Sequence, residues 1–228
     1  MSSLKDGIKY GISYFSILPI KIEKFEADSD FYKGVVYSLP LTGFILSFII
    51  IALFLILPFA LIYKAILCAI IYLFLYGFIH LEAVADTIDG YFASLSGKDS
   101  YEIMKEPQIG ALGAIGTFSF VLLEVLAISF LFYNEAYISI ILALSLSRLS
   151  IWFALSLEYH EKSSFINSLK ENFEISDTLK TALFPINLYT KFILNRLKNH
   201  FGFLNGDILG FHIVLFEIIL LNIGIIFC

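Results

Sequence analysis

From residue 35 to residue 79 the chain is an almost unbroken run of apolar side chains, interrupted at Pro58. A helix needs about 20 such residues to cross the hydrocarbon core of a bilayer. Proline cannot continue a helix ladder, so the run divides into two crossings, 35–57 and 59–79. Three further stretches qualify, 109–132, 138–157 and 208–227. A sixth candidate, 179–194, carries Lys180, Pro185, Asn187 and Lys191 and reads as amphipathic or shallow. The expected fold is therefore all-α, a polytopic integral membrane helix bundle of about five to seven transmembrane helices. With 59% hydrophobic and 15% charged residues, lipid is the solvent this chain is built for. The formal net charge of -5 argues against a nucleic-acid partner. Cys68 and Cys228 stand alone, so neither a disulfide framework nor a zinc site is expected.

Ahead of the first crossing, Leu4, Ile8, Ile12 and Phe15 recur at helical spacing. That pattern predicts a short helix lying on the membrane surface rather than a cleaved leader. Residues 1–34 thus read as an amphipathic, cytoplasmic or interfacial segment. Residues 35–228 read as one transmembrane helical catalytic domain with loops 80–108 and 158–206. Lysine and arginine set the orientation. Lys5, Lys9, Lys21, Lys24 and Lys33 precede the first crossing. Lys98 and Lys105 lie in the first loop, and Lys162, Lys170, Lys180, Lys191, Arg196 and Lys198 in the second. The turns at Pro58 and at 133–137 carry none. With five crossings all the lysine-bearing segments fall on one side, which is then cytoplasmic.

The first loop opens with HLEAVADTIDG, residues 80–90. Glu82, Asp86 and Asp89 are spaced i, i+4 and i+7, which puts them within about 60° on one helix face. Like charges so aligned repel. Oxygen-only ligands suit a hard cation such as magnesium; the alternative is a solvated acidic helix end. Lys105 stands at the mouth of the third crossing, as a phosphate partner or a positive-inside anchor. Gly110, Gly113 and Gly116 bare one side of that crossing for another backbone. Asn205, Gly206 and Asp207 open the last crossing, where an acid is also a plain cap. Glu124, Arg148, His212 and Glu217 lie within apolar spans, each a pairing or functional candidate. Arg148 would pair with Glu124 or Glu217, or contact a phosphate.

These motifs resemble those of the cobalamin synthase family, the adenosylcobinamide-GDP ribazoletransferases. HLEAVADTIDG is similar to its HLDGLADTxDG signature. Ile103, Met104, Lys105, Glu106, Gly110 and Gly113 follow its IMKD-x-x-x-G-x-x-G stretch, and Gly202, Gly206, Asp207, Leu209 and Gly210 its GG-x-TGD-x-LGA segment. SILPI and YSLPLTG, with Pro19, Pro40 and Gly43, resemble its LP and PLxG pieces. The matches keep family order from about residue 14 to 217. The departures are Glu82 and Glu106 for aspartates, Ala83 and Phe203 for glycines, Asn205 for threonine, Phe211 for alanine, Gln108 for a polar or basic residue, and Ile17 for arginine. The resemblance implies a divergent member that joins α-ribazole or its 5′-phosphate to adenosylcobinamide-GDP with release of GMP, using magnesium. It implies metal binding by Glu82, Asp86, Asp89 and Asp207, and pyrophosphate binding by Lys105 and Arg148. Gly90 and Gly206 would lie against the substrate. His80 would be a proton acceptor or an interfacial structural histidine. The implied location is the cytoplasmic membrane of a prokaryote, with the site facing the cytoplasm. A homo-oligomer, or assembly with other cobalamin enzymes, is compatible with the bare third crossing.

Two other readings compete. Asp86, Asp89, Gly90 and Ala93 half-match the D-x-x-D-G-x-x-A-R pattern of CDP-alcohol phosphotransferases, but Ser94 replaces the arginine and the later paired aspartates are missing. A cation-coupled transporter or channel would use the intramembrane charges as a path.

Overall fold

A computed structural model describes residues 2–21 and 25–228; Lys24, counted above among the orienting lysines, lies outside them. Every regular element among the described residues is a helix. They are α1 (Ser2–Tyr14), α2 (Ser29–Ile56), α3 (Leu61–Leu75), α4 (Ile79–Leu95), α5 (Ser100–Ile103) and α6 (Ala111–Tyr133). α7 (Tyr137–Ala154), α8 (Ser164–Asn172), α9 (Asp177–Ala182), α10 (Phe184–Phe201) and α11 (Gly206–Ile226) follow. Among the described residues, α2, α6, α7 and α11 are each long and apolar enough to cross a membrane. Their exposed side chains include Phe48, Ile56, Phe118, Leu126 and Ile138, which are large and apolar. Such a surface is stable against lipid tails and costly against water. The protein is an integral membrane helix bundle.

The second crossing departs from expectation. Expected over 59–79, it ends early, because the chain breaks at Gly77 and Phe78, which have φ of 69° and 58°. Glycine takes that left-handed conformation without penalty, whereas a phenylalanine pays about 1–2 kcal/mol for it. The helix cannot continue through two such residues, and α4 leaves the direction of α3 by 80°. The acidic residues lie on α4, past this break. The shallow candidate at 179–194 is no crossing: it folds as α9 and α10, and Pro185 sits in the first turn of α10, where a missing N–H costs nothing.

The chain forms two compact units. The first comprises 1–78, 121–149 and 215–228, the second 79–120 and 150–214. α6, α7 and α11 contribute residues to both.

In the first unit α1 forms as its periodicity predicts, but it packs on α2 instead of simply floating on a surface. A Cβ at Gly7 would fall on the Phe31 carbonyl, and one at Gly34 on the Leu4 carbonyl. Bare backbone on both helices lets them touch directly. The same device joins α2 to α7, because a Cβ at Gly43 would fall on the backbone of Leu144. Backbone cannot swing aside as a side chain can. Gly43→Val should therefore cost about 2–3 kcal/mol, read as a lower unfolding midpoint in detergent. Gly206→Ala, which meets only Ile166 Cδ1 at 3.5 Å, should leave the midpoint in place. Phe54 stacks on Phe132 with centroids 4.5 Å apart, and Leu46, Ile50, Ile128 and Leu131 fill the core around them.

A charged knot is buried in this apolar unit. Arg148 is 1% exposed and Glu217 2%. Arg148 Nη1 donates to Glu217 Oε2 at 2.6 Å and to the Leu144 carbonyl at 2.8 Å. Its Nη2 donates to the Tyr72 hydroxyl at 2.8 Å, and that hydroxyl donates to Glu217 Oε1 at 2.5 Å. Ser147 donates to Glu217 Oε2 at 2.9 Å. Both carboxylate oxygens are thus satisfied, as burial in a low dielectric demands.

Candidate active site

The second unit holds the acidic helix. On α4 the residues His80, Ala83, Val84, Thr87 and Gly90 are buried, Asp86 and Asp89 are partly open, and Glu82 is exposed. The i, i+4, i+7 spacing therefore sorts the three acids onto the wetter face, as expected from the helical period.

Asp89 is held by backbone. Its Oδ2 accepts from the Gly110 N–H at 2.7 Å and its Oδ1 from the Gly113 N–H at 2.8 Å. These amides lie at the start of α6, where helical N–H groups lack partners and the dipole favours an anion. Cβ atoms at Gly110 and Gly113 would collide with the Asp89 carboxylate, and one at Gly116 with Ile88. The bare stripe of the third crossing thus admits α4 of the same chain. This is the close backbone approach expected of those glycines, and the helix that makes it is α4.

Asp207 enters from the start of α11. Its Oδ2 accepts from Lys105 Nζ at 2.7 Å and from Asn205 Nδ2 at 2.8 Å. The cap of α11 is Asn205, whose Oδ1 accepts from the Ile208 N–H at 3.0 Å. Asp207 is therefore released from capping, the plain reading of an acid at that position. Burial opposes the charged form of Lys105, but its bond to Asp207 outweighs this and holds the ammonium above the usual lysine range.

Asp86 feels all of these groups. Burial, then the charges of Asp207 and Glu82, push its carboxyl up to about 6, against the opposing pull of Lys105. The structure thus brings Glu82, Asp86, Asp89, Lys105 and Asp207 into mutual influence. Among the described residues no three of them close into a ready metal-binding group. The donor chemistry nonetheless fits a hard divalent ion: the donors are carboxylates, without sulfur or nitrogen, and the crowded Asp86 is what a nearby cation would relieve.

Three other expected site residues have different surroundings. His80 is 5% exposed and packs beside Gly210 of α11, where an added Cβ would lie 3.7 Å from its Nδ1. That burial fits the structural reading of this histidine. Gly90 is buried because a Cβ would meet Met104 Cε at 2.5 Å, and its carbonyl accepts from Ser100 at 3.0 Å. Its role is packing α4 against the α5 segment. Arg148 belongs to the first unit, with its charge spent on Glu217; of the two readings offered for it, the internal pair is observed. Gly206 is exposed beside Asp207, as a substrate contact requires. His212 meets Ser150 at 3.1 Å and stacks on Tyr189.

One cluster had no signal in the sequence motifs. Tyr101 stacks on His160 with centroids 4.2 Å apart, and Phe203 meets both rings edge-on at 5.3 and 5.8 Å. Phe203 was visible only as bulk in place of a glycine.

Comparison with known proteins gives these residues a context. A family model described as cobalamin-5-phosphate synthase matches residues 7–225. The chain is 27% identical to an adenosylcobinamide-GDP ribazoletransferase of Treponema denticola, over 95% of this chain and 96% of the relative. It is 24% identical to one of Alkaliphilus oremlandii, over 87% and 88%. A ribazoletransferase of Clostridium novyi is 36% identical over 59% of this chain and 53% of its own length. No solved structure matches the chain.

Proposed function

This chain belongs to the cobalamin-5-phosphate synthase family, and we propose that it joins α-ribazole, or its 5′-phosphate, to adenosylcobinamide-GDP. The products are adenosylcobalamin, or its phosphate, and GMP. The observation that carries this reading is the family match across residues 7–225, within which Asp86, Lys105 and Asp207 come together.

The chemistry is phosphoryl transfer. A ribose hydroxyl oxygen bonds to the cobinamide-side phosphorus and releases its proton to water, the bond from that phosphorus to the bridging oxygen breaks, and GMP leaves with the bridging oxygen. Such a reaction asks for positioning and charge neutralisation more than for covalent catalysis. Lys105 would meet the diphosphate as a point charge, with Asp207 holding it in place. Glu82, Asp86 and Asp207 would hold magnesium, with Asp89 adding its charge while it anchors α6. The ion when bound would supply neutralisation of the phosphate oxygens. The lysine-bearing loops support a site on the cytoplasmic side of a prokaryotic inner membrane.

The rival readings lose their footing. Ser94, in place of the arginine of CDP-alcohol phosphotransferases, bonds His200 at 2.8 Å. Of the intramembrane charges that a transporter would line up, Arg148 and Glu217 are spent on each other.

The test uses the full chain in detergent with both substrates and magnesium. GMP and a cobalamin product should form together. Absence of both, with CMP release from CDP-diacylglycerol and a small alcohol instead, would overturn the proposal.

A further inference from the structure

Two ammonium groups gather on one aromatic ring beside the acidic cluster. Lys105 Nζ lies 5.9 Å from the Tyr101 centroid and Lys162 Nζ lies 5.4 Å from it. The ring attracts cations through its quadrupole, but the two like charges repel each other. Lys105 is compensated by Asp207. Lys162 is exposed and makes no ion pair among the described residues.

The ring itself is fixed in place. Asp99 caps α5 by accepting from the Tyr101 N–H at 2.8 Å, and the ring is held between the His160 stack and the edge of Phe203. The turn that carries Lys162 is tied to the same frame. The His160 N–H donates to the Leu204 carbonyl at 2.8 Å, and the Lys162 N–H donates to His160 Nδ1 at 3.2 Å. Leu204 directly precedes Asn205, which caps α11 and holds Asp207. Both lysines are therefore anchored, one through the turn and one through Asp207, to the entrance of α11.

We propose that Lys162 is a second phosphate-binding lysine, which with Lys105 flanks Tyr101 and takes the diphosphate of a nucleoside diphosphate ester. The inference rests on the transferase reading above and adds a binding residue to it. A diphosphate ester approaching Glu82, Asp86 and Asp207 meets like charge. Lys105 cannot offset that alone, because Asp207 already takes much of its charge. Lys162 is the uncommitted cation on the same ring, and an ammonium is a compact donor to phosphate oxygens.

The probe is GDP, titrated calorimetrically into the full chain in detergent, alongside steady-state assays. Lys162→Ala should weaken GDP binding about tenfold and raise KM for adenosylcobinamide-GDP by a similar factor. Its kcat should stay within about twofold and KM for α-ribazole should not move, since only uniform binding is lost. Lys162→Arg should restore most of the GDP affinity, as a misfolded or merely rearranged surface would not. Wild-type affinity for GDP and unchanged KM in Lys162→Ala would overturn the assignment and make Lys162 a solvated surface lysine. If the wild type binds GDP but releases no GMP from the two substrates, the transferase reading fails, while the GDP titration of the variants still decides the lysine.

Discussion

Asp86→Asn should lower GMP release about 10³-fold, in the range found when one preorganised charge is removed from a transition-state site. The same substitution should make the metal-free protein harder to unfold at pH 8. The Asp86 carboxyl is pushed up to about 6 from an ordinary 3.8, by burial first and then by Asp207 and Glu82. A folded state that holds the proton more tightly than the unfolded chain loses stability as pH rises between those two values. The cost is absent below about pH 4 and complete above about pH 6. Asparagine removes it. Because Asp86 is partly open to solvent, the gain is about 1 kcal/mol rather than the full value of the shift. Magnesium should raise the unfolding midpoint of the wild type and leave that of Asp86→Asn unchanged.

Asp89→Asn should behave in the opposite way on stability. Both oxygens of Asp89 accept backbone N–H groups at the start of α6. An asparagine has one acceptor and would turn its amide hydrogens toward the second N–H. The loss of a charge-assisted cap should cost about 1–2 kcal/mol. Activity should fall as well, because α4 and α6 lose their register. Thermal unfolding of the two variants in detergent separates the roles. A lowered midpoint for both would show that Asp86 is not destabilised by its neighbours.

The sequence carried the crossings well because each is set by a local quantity, the length of an apolar run between breaks. Pro58 and the turn at 133–137 divide the runs much as the helices divide. Local runs do not carry bends. Gly77 and Phe78 are apolar residues in an apolar stretch, and only their backbone angles turn α4 away. The acidic face was legible from its period alone. What each acid touches was not, since the Asp89 partners are amides and the Lys105 partner, Asp207, lies far along the chain. The glycines of the third crossing were correctly read as spaces for close approach, but a space does not say what fills it. Here Asp89 and Ile88 fill it. The tyrosine in the buried charge knot had no signal either, because Tyr72 is one of 13 tyrosines in a hydrophobic chain.

That knot makes the other large prediction. Arg148→Met should destabilise the fold by about 3–5 kcal/mol, the usual cost of leaving a buried charge without its partner. The guanidinium donates to Glu217, Tyr72 and the Leu144 carbonyl, and methionine replaces none of these bonds. Glu217→Leu should cost a similar amount, because it removes the carboxylate bonded to the guanidinium and leaves the buried charge bonded to the uncharged Tyr72 hydroxyl and Leu144 carbonyl. The double variant Arg148→Met/Glu217→Leu should cost clearly less than the two single changes together. It removes both charges at once and leaves behind mainly the Tyr72 and Ser147 hydroxyls to be satisfied. A coupling of about 2 kcal/mol or more in this cycle, measured from unfolding in detergent, is expected for a directly bonded buried pair. Additive costs would mean that each group has its own separate partner. A third outcome separates structure from binding. If Arg148 served a substrate phosphate, Arg148→Met would lose activity at an unchanged unfolding midpoint. With the side chain 1% exposed and bonded on both terminal nitrogens, the midpoint should fall first, and Arg148→Met protein that remains folded should still bind GDP.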